Sequence, residues 1–253
     1  MNHTVDTNLV EVVNADAASP VVLVCEHASH RIPDEFNGLG LSATARESHI
    51  AWDPGAMAVA RGMSHMLDAT LVAARTSRLV YDCNRPPHAP DAMPARSEVF
   101  DIPGNRAMTD AERQSRVATY YTPFHDALAA CLAARRDPVM VTIHSFTPVY
   151  HGKHRAVEVG VLHDSDARLA DRMLALAPGT VTHKVARNEP YGPQDGVTHT
   201  LRTHALPHGH RNVMIEVRND LLLDAAAQGK MAQTLSGWIK AALVDEGTVA
   251  CKS

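Results

Sequence analysis

The chain has 253 residues, of which 45% are hydrophobic, and a formal net charge of -4. This length and composition allow one large domain or two small ones, and the scattered basic residues give no patch typical of a nucleic-acid surface. No run of 18 apolar residues could span a membrane, and the N-terminal stretch lacks the basic start and apolar block of a secretory signal.

Apolar, β-branched runs alternate with longer helical stretches, which predicts an α/β fold with helices on the faces of a sheet. We expect residues 1–18 to form a loosely held arm, residues 19–246 a single α/β domain, and residues 247–253 a polar tail. The predicted strands, in chain order, cover residues 21–25, 70–73, 139–143, 156–162 and 213–217. The predicted helices cover residues 54–67, 110–135, 167–176 and 225–243.

Two local signals refine these predictions. Thr109 and Glu112 form the T-x-x-E pattern of a capping box, which indicates a helix start. The proline-rich stretch 86–105 has almost no periodicity, so we interpret it as a long excursion of the kind that often contributes to binding sites.

Cysteine and histidine content give contrasting indications. The four cysteines include no C-x-x-C pair, so we expect reduced thiols in a cytoplasmic protein and neither a disulfide framework nor a cysteine zinc site. Histidine occurs 16 times although aromatic residues make up only 4% of the chain. This excess makes a histidine-based metal site a hypothesis worth testing.

Three predicted strands end in residues that could bind a metal or transfer protons. The first runs into Glu26 and His27, the third into His144, and the last contains Glu216. Ligands gather at the carboxyl ends of strands in open α/β sheets, so these residues could converge. Two histidines and one carboxylate form a common hydrolytic zinc site. We prefer His27 to Glu26 as a ligand because successive strand side chains point to opposite faces.

Each of these residues also has a structural interpretation. Histidines are common at element ends, and most others, among them His30, His49, His88 and His125, are expected to be structural. Asp53, a candidate third ligand, precedes a proline and could instead cap a helix. Glu216 could pair with Arg218, or burial could raise its pKa and suit it to act as a general base.

A dense polar cluster follows the second predicted strand and contains Arg78, Asp82, Asn84 and Arg85. An arginine binds a carboxylate through two parallel hydrogen bonds, so this cluster could hold an acidic substrate, with Asp82 or Asn84 orienting the arginine. A buried structural arginine–aspartate pair is equally compatible with the pattern. The same two interpretations apply to Arg218.

Six strings in fixed order carry a family resemblance: CEHASHRIP, SHIAWDPGA, SRLVYDCNRP, IHSFTPV, NEPYG and IEVRNDL. From about residue 20 to residue 243 the chain resembles the N-formylglutamate amidohydrolases, whose fold is similar to that of zinc carboxypeptidases and aspartoacylases. The resemblance implies a three-layer α/β/α architecture with a mixed, mainly parallel sheet of the carboxypeptidase-like (phosphorylase/hydrolase-like) kind. Two strings vary, since EHAS and DCNR stand where the family tends to have PHSG and DLNR.

The resemblance also implies roles for individual residues. The expected metal ligands are His27, Asp53 and His144. The expected ion is Zn²⁺, with another divalent metal as the alternative. The expected general base is Glu216. From the residue pattern and not from the resemblance, we expect Glu26, Asp82 and Arg218 to support the ligands. The expected substrate contacts are Arg85, Asn84, Arg78, Asn188 and Tyr191.

Together these patterns predict a metal-dependent amidohydrolase acting on an N-acyl amino acid similar to N-formylglutamate. The metal would activate a water, Glu216 would accept its proton, and Arg85 by preference would hold the substrate carboxylate. The expected partner is a small carboxylate-bearing amide, without nucleic acid or membrane.

Three alternatives to this function stay open. One is a deacylase or small peptidase acting on another carboxylate-bearing amide, and a second is a non-catalytic metal- or ligand-binding relative. A serine hydrolase using Ser145 or Ser29 is disfavoured because neither serine lies in a G-x-S-x-G motif.

Overall fold

A seven-stranded mixed sheet organises the computed structural model, which describes residues 9–244. Within that range the strands are β1 (Val10–Val13), β2 (Val21–Cys25), β3 (Thr70–Ala74), β4 (Arg96–Ser97), β5 (Phe100–Asp101), β6 (Val139–Phe146), β7 (Val149–Tyr150), β8 (Lys153–His154), β9 (Val159–Leu162), β10 (Val185–Arg187) and β11 (Arg211–Arg218). The α-helices are α1 (Ala43–Glu47), α2 (Ala56–Leu67), α3 (Asp110–Arg116), α4 (Thr122–Ala133), α5 (Arg168–Thr180), α6 (His199–His204) and α7 (Ala225–Leu243).

The order of strands in the main sheet is β1-β3-β2-β6-β11-β9-β10. The four central strands β3, β2, β6 and β11 are parallel to one another, and β10 is parallel to β9. Strand β1 runs antiparallel to β3, and β9 runs antiparallel to β11. Strands β4 and β5 form one separate ribbon, and β7 and β8 form another. The carboxyl ends of β2, β6 and β11 therefore lie side by side at one edge of the sheet.

Both faces of the sheet are covered, so its central strands are buried along their length. Alternate side chains of β2 point to opposite faces, where Leu23 packs in a core with α2, α5 and α7, and Val24 in a core with α4 and α6. The predicted three-layer α/β/α class with a mixed, mainly parallel sheet is thereby confirmed. No helix within residues 9–244 combines the length and apolarity needed to cross a membrane.

The N-terminal segment differs from the expected loose arm in its described part. Residues 10–13 form β1, the edge strand, and pair with residues 71–74 of β3. Val10 is buried while Glu11 and Val13 are partly exposed, so the segment has too few core contacts to give a clear pattern in sequence. Residues 1–8 and the predicted tail 247–253 lie outside the described residues.

Most predicted elements agree with the structure apart from their ends. The predicted bounds of β2 and α7 are those observed, β6 continues through His144 to Phe146, and β11 begins at Arg211. The capping box of Thr109 and Glu112 starts α3 as predicted. The single helix predicted over residues 110–135 is interrupted by a π-helical turn, Val117–Tyr121. Short elements with few apolar residues, such as β10, α1 and α6, were not predicted.

Candidate metal centre

The three predicted metal ligands are brought together at the carboxyl edge of the sheet. His27 follows β2, His144 lies in the neighbouring strand β6, and Asp53 precedes α2. The backbone N–H of Asp53 donates to the carbonyl of His27 (3.0 Å), and the backbone N–H of Ser145 donates to Oδ2 of Asp53 (3.2 Å). The alternative prediction that Asp53 caps a helix is wrong. The N-cap of α2 is Gly55, and no side chain forms a capping hydrogen bond at the start of this helix.

One atom from each of these residues points to a common position. Nδ1 of His27 and Nδ1 of His144 are 3.2 Å apart, and Oδ2 of Asp53 lies 3.2 Å from the first and 2.9 Å from the second. Zinc bonds of 2.0–2.1 Å at tetrahedral angles place ligand atoms about 3.3 Å apart. The spacing of the three atoms therefore fits a small metal ion.

The second ring nitrogen of each histidine faces a carboxylate. Nε2 of His27 lies 2.7 Å from Oδ1 of Asp82, and Nε2 of His144 lies 3.1 Å from Oε2 of Glu26. An ionised carboxylate only accepts hydrogen bonds, so a neutral ring that carries its proton on Nε2, toward the carboxylate, would keep the Nδ1 lone pair for a metal ion. Carboxylates in this position orient histidine ligands and increase their basicity. Glu26 and Asp82 therefore lie where they can orient the two imidazole rings.

The charge of this centre favours a bound cation. Glu26, Asp53, Asp82 and Glu216 are all at most 5% exposed, and Arg78 is the arginine that bonds two of them, at 2.7 Å to Asp82 and 3.5 Å to Asp53. Burial by itself lowers the pKa of both histidines, but the surrounding carboxylates outweigh it and raise the pKa of each, that of His144 well above its usual value. Positive charge is thus stabilised between these carboxylates.

Glu216 is buried beside the candidate ligands and has an oxygen free for proton transfer. It is the register partner of His144 in the parallel β11–β6 pair, so both side chains point to the same face. Its Oε2 atom has no hydrogen-bond partner among residues 9–244. Burial raises the pKa of Glu216 to about 7, although nearby His144 acts in the opposite direction.

The predicted pairing of Glu216 with Arg218 is not observed, and neither is a contact of Arg218 with the metal ligands. Nε of Arg218 donates to Asp220 (2.8 Å), and its Nη2 lies 3.4 Å from Glu158. The side chain is directed toward β9 because these carboxylates and two backbone carbonyls of residues 155–157 bind it there. Arg218 is therefore not a supporting residue of the metal centre.

The predicted substrate contacts of the D-C-N-R string already have partners within the protein. Nε of Arg85 donates to Asp91 (2.6 Å), and its Nη1 donates to the carbonyls of Asn84 and Gly196. The amide of Asn84 accepts two hydrogen bonds from Thr200 and donates to the carbonyl of residue 197. Both residues line the cavity, but the bonds between Asn84 and Thr200 join the turn that contains Asp82 to α6.

The NEPYG loop contributes Tyr191 to the site but does not place Asn188 there. The Asn188 side chain accepts a hydrogen bond from the backbone N–H of His163 (2.9 Å), and the residue does not line the cavity. Tyr191 lines the cavity and accepts a hydrogen bond from Arg155 (3.0 Å). The loop lies directly against β9, where any side chain at Gly160 would collide with the carbonyl of Glu189.

A cavity of about 880 Å³ opens above the metal centre. The proline-rich excursion predicted over residues 86–105 supplies part of its wall, including Asp91, Arg96 and Glu98. The hairpin of β7 and β8 and the residue after it, Arg155, supply another part. Sequence analysis missed Arg155, because its neighbourhood has aromatic and basic residues but no motif with fixed spacing.

A second histidine cluster lies behind the turn that contains Asp82. Nδ1 of His125 is 2.6 Å from Nε2 of His204, Nε2 of His125 is 2.9 Å from the carbonyl of Cys83, and the Tyr121 hydroxyl is 3.0 Å from Nε2 of His199. Burial lowers the pKa of His125 to about 3 and that of His204 to about 4. These histidines are therefore neutral near pH 7.

Comparison with known proteins connects this centre to one family. The family model of N-formylglutamate amidohydrolase matches residues 19–223. The solved structure of gene product Atu2144 from Agrobacterium tumefaciens is similar at 57% identity and a TM-score of 0.92, over 93% of this chain and 95% of that chain. No match was found among curated proteins.

A more distant similarity is to the structure of N-formylglutamate amidohydrolase from Ralstonia eutropha JMP134. It has 18% identity and a TM-score of 0.64 over 92% of this chain and 96% of that chain, which is a similarity of fold. The family model, in contrast, matches most of the sequence, including the residues of the candidate metal centre. The chain therefore belongs to the N-formylglutamate amidohydrolase family, and this membership supports amidohydrolase activity.

Proposed function

We propose that the protein is a metal-dependent amidohydrolase that cleaves the amide bond of a carboxylate-bearing N-acyl amino acid, with N-formylglutamate as the reference substrate. The observation that carries this proposal is the convergence of Nδ1 of His27, Nδ1 of His144 and Oδ2 of Asp53 beside Glu216. The cavity above them falls within the size range of small-molecule sites.

His27, Asp53 and His144 would hold the metal ion. Zinc is the first candidate, because two histidine nitrogens and one carboxylate oxygen with a further position open are a common set in zinc hydrolases. When bound, the ion would polarise the substrate carbonyl and lower the pKa of a water molecule. Asp82 and Glu26 would keep the two imidazole rings oriented for this role.

Glu216 would accept the proton from the attacking water and deliver it to the leaving nitrogen. Its free Oε2 can receive a proton without first breaking a hydrogen bond within the protein. A pKa of about 7 suits both steps, because a group with a pKa near the working pH can accept a proton and release it again. Its 5% exposure keeps competing solvent away from the carboxylate.

Basic side chains in the cavity wall offer binding positions for an anionic group. Arg85, Lys153 and Arg155 line it beside acidic residues that include Asp91, Glu98 and Glu189, and Arg78 neutralises part of the acidic charge at the floor. A basic group in such a wall can bind an anionic group of a ligand through complementary charge. This supports a substrate that carries at least one carboxylate in addition to its amide.

The substitution Glu216→Gln tests the proposal, because it keeps the size of the side chain but removes the base. We expect the variant to retain stoichiometric metal and to lose turnover of N-formyl-L-glutamate by about 100-fold or more. Glu98→Gln is the matched control, since Glu98 also lines the cavity but pairs with His49. Metal content and steady-state kinetics of the three proteins are the measurements.

Three results would contradict the proposal at different points. Near-normal turnover by Glu216→Gln would remove the residue from the proton transfers. Full activity after complete removal of metal by a chelator would remove the metal from the reaction. A metal-loaded wild-type protein that cleaves no N-formyl amino acid, N-acetyl amino acid or dipeptide would favour the non-catalytic alternative.

A further inference from the structure

Arg155 differs from Arg78 and Arg85 in having no carboxylate partner among the described residues. Arg78 bonds Asp53 and Asp82, and Arg85 bonds Asp91. Nη2 of Arg155 instead donates to the Tyr191 hydroxyl (3.0 Å), and its Nη1 has a long contact with the carbonyl of residue 147 (3.4 Å). Its guanidinium is therefore not engaged in an ion pair within residues 9–244.

Aromatic rings surround this guanidinium. Its central carbon lies 4.5 Å from the ring centre of Tyr150, 4.8 Å from that of Tyr191 and 5.5 Å from that of Phe146. Such rings attract a cation through their π-faces but accept few of its N–H bonds. A guanidinium has five N–H donors, so most of those of Arg155 are available to a planar anion such as a carboxylate.

The backbone of Arg155 is held in place before any ligand binds. Its N–H donates to the carbonyl of Pro148 (2.8 Å), and its carbonyl accepts from Nη1 of Arg218 (3.1 Å). Arg218 is in turn fixed by Asp220 (2.8 Å). Arg218 thus contacts the backbone of Arg155 and not the metal ligands. A cationic group that is already oriented loses less entropy when it binds a ligand.

Tyr191 links Arg155 to the reacting end of the cavity. Burial raises the pKa of Tyr191 to about 12, and nearby Glu216 adds to this increase, whereas Arg155 opposes it. The tyrosine hydroxyl therefore stays protonated and lies within the electrostatic influence of both residues. Arg155 and Glu216 also line the same cavity. A ligand that reaches Arg155 can therefore have its amide at the metal centre.

We infer that Arg155 and the hydroxyl of Tyr191 form the subsite that receives a carboxylate of the substrate. The inference rests on the proposed function for the nature of the substrate, and it replaces Arg85, which is bound to Asp91, as the expected carboxylate receptor. The subsite selects amides that carry a carboxylate at a fixed distance from the scissile bond.

The kinetic test compares N-formyl-L-glutamate with its two mono-amides, each of which lacks one carboxylate. We expect Arg155→Met to lower kcat/KM for N-formyl-L-glutamate by about 100-fold, chiefly through KM. For the mono-amide that lacks the recognised carboxylate, Arg155→Met and wild type should differ by less than about threefold. Arg155→Lys should recover part of the lost activity, because it restores the charge but not the planar pair of donors.

Arg96→Met is the matched control, since Arg96 lines the same cavity and, within residues 9–244, its side chain bonds the backbone carbonyl of Glu98. It should stay within about twofold of wild type on all three substrates. An equal loss in Arg96→Met and Arg155→Met would overturn the subsite in favour of a general effect of cavity charge. Unchanged discrimination between the diacid and both mono-amides in Arg155→Met would also overturn it.

A binding measurement separates failure of this inference from failure of the proposed function. N-formyl-L-glutamate is titrated calorimetrically into metal-loaded Glu216→Gln protein, alone and combined with Arg155→Met or Arg96→Met. If Arg155→Met weakens binding at least tenfold and Arg96→Met does not, the result supports the subsite, even if the wild-type protein shows no turnover. In that case only the proposed function fails. Equal binding by all three proteins, or no binding by any of them, overturns the subsite, while turnover by wild type would leave the proposed function standing.

Discussion

The two buried histidine clusters of this protein have similar burial and opposite electrostatics. His27 and His144 are each 2% exposed and lie among carboxylates, whereas His125 and His204 are 6% and 7% exposed and contact each other, a backbone carbonyl and aromatic rings. Burial alone lowers the pKa of all four. Only in the first cluster do neighbouring carboxylates reverse that effect.

This difference separates a cluster suited to a cation from one suited to structure. Asp53, Asp82 and Glu26 supply negative charge around His27 and His144, so either protons or a metal ion can be held between them. The second cluster is neutral because burial lowers the pKa of His125 and His204. Nε2 of His125 faces the carbonyl of Cys83 and so carries the proton of its neutral ring. Its atoms do not form a candidate metal group among the described residues.

The largest expected effect on metal affinity comes from substituting a metal ligand of the first cluster. His144→Asn should weaken metal binding by more than 100-fold, because it removes one of the three converging ligand atoms. This loss of affinity should be greater than the roughly 10–100-fold loss expected when a partner of a ligand is removed. His204→Asn in the second cluster should leave metal stoichiometry unchanged. Metal content after dialysis and competition with a chelator give the affinities. Wild-type affinity in His144→Asn would show that the two clusters do not differ in this way.

A smaller loss of metal affinity is expected from substituting Asp82, the carboxylate that orients His27. Asp82→Asn should weaken metal binding by about 10–100-fold, since the amide holds the ring less firmly and no longer increases its basicity. Asp91→Asn is the control in the same loop, because Asp91 pairs with Arg85 instead of a histidine. Thermal unfolding of each variant checks that the fold is intact. Equal affinities in both variants would argue against the orienting role of Asp82.

The second cluster should make the metal-free protein less stable in acid. Its histidines have a pKa of about 6.5 when unfolded but about 3 and 4 when folded, so the unfolded chain takes up protons that the folded chain does not. Their contribution to stability is therefore present above pH 6.5 and is lost as the pH falls toward 4. At pH 5 each should reduce the free energy of unfolding by about 2 kcal/mol relative to pH 7.5.

The substitutions His125→Gln and His204→Gln sharpen this point. Each should reduce the change in the free energy of unfolding between pH 7.5 and pH 5 by about 2 kcal/mol, because glutamine does not titrate. His88→Gln, at an exposed position, controls for the loss of an imidazole. Urea unfolding of the metal-free proteins at both pH values is the measurement. A pH dependence in the two cluster variants equal to that of wild type would contradict the assigned neutrality.

Sequence patterns predicted the centre of the fold better than its edges. The strands β2, β6 and β11 are buried on both faces, so each is a short apolar run that is visible without structural information. The edge strand β1 has only one fully buried residue and no such pattern. His27, Asp53 and His144 could be predicted because they follow or lie within these strong elements or belong to an ordered motif.

Contacts between distant segments account for most of what sequence analysis missed. Arg85 was the natural choice for a carboxylate receptor, but the structure brings Asp91 to within 2.6 Å of it. Arg218 was expected near the metal ligands, and Asp220 and Glu158 hold it elsewhere. The availability of an arginine depends on which carboxylates fold against it, and that information is not present in local spacing.

By itself, the sequence determined the alternation of strands and helices, the ends of the central strands and the residue types available for metal chemistry. These follow from hydrophobic periodicity and from the chemistry of side chains, which are local properties of the chain. Only the tertiary structure decided that β2, β6 and β11 are neighbours, that carboxylates surround His27 and His144 but not His125 and His204, and that Arg155 lacks a carboxylate partner in the described chain. Charge state and availability depend on burial and on neighbours distant in sequence, and folding alone sets both.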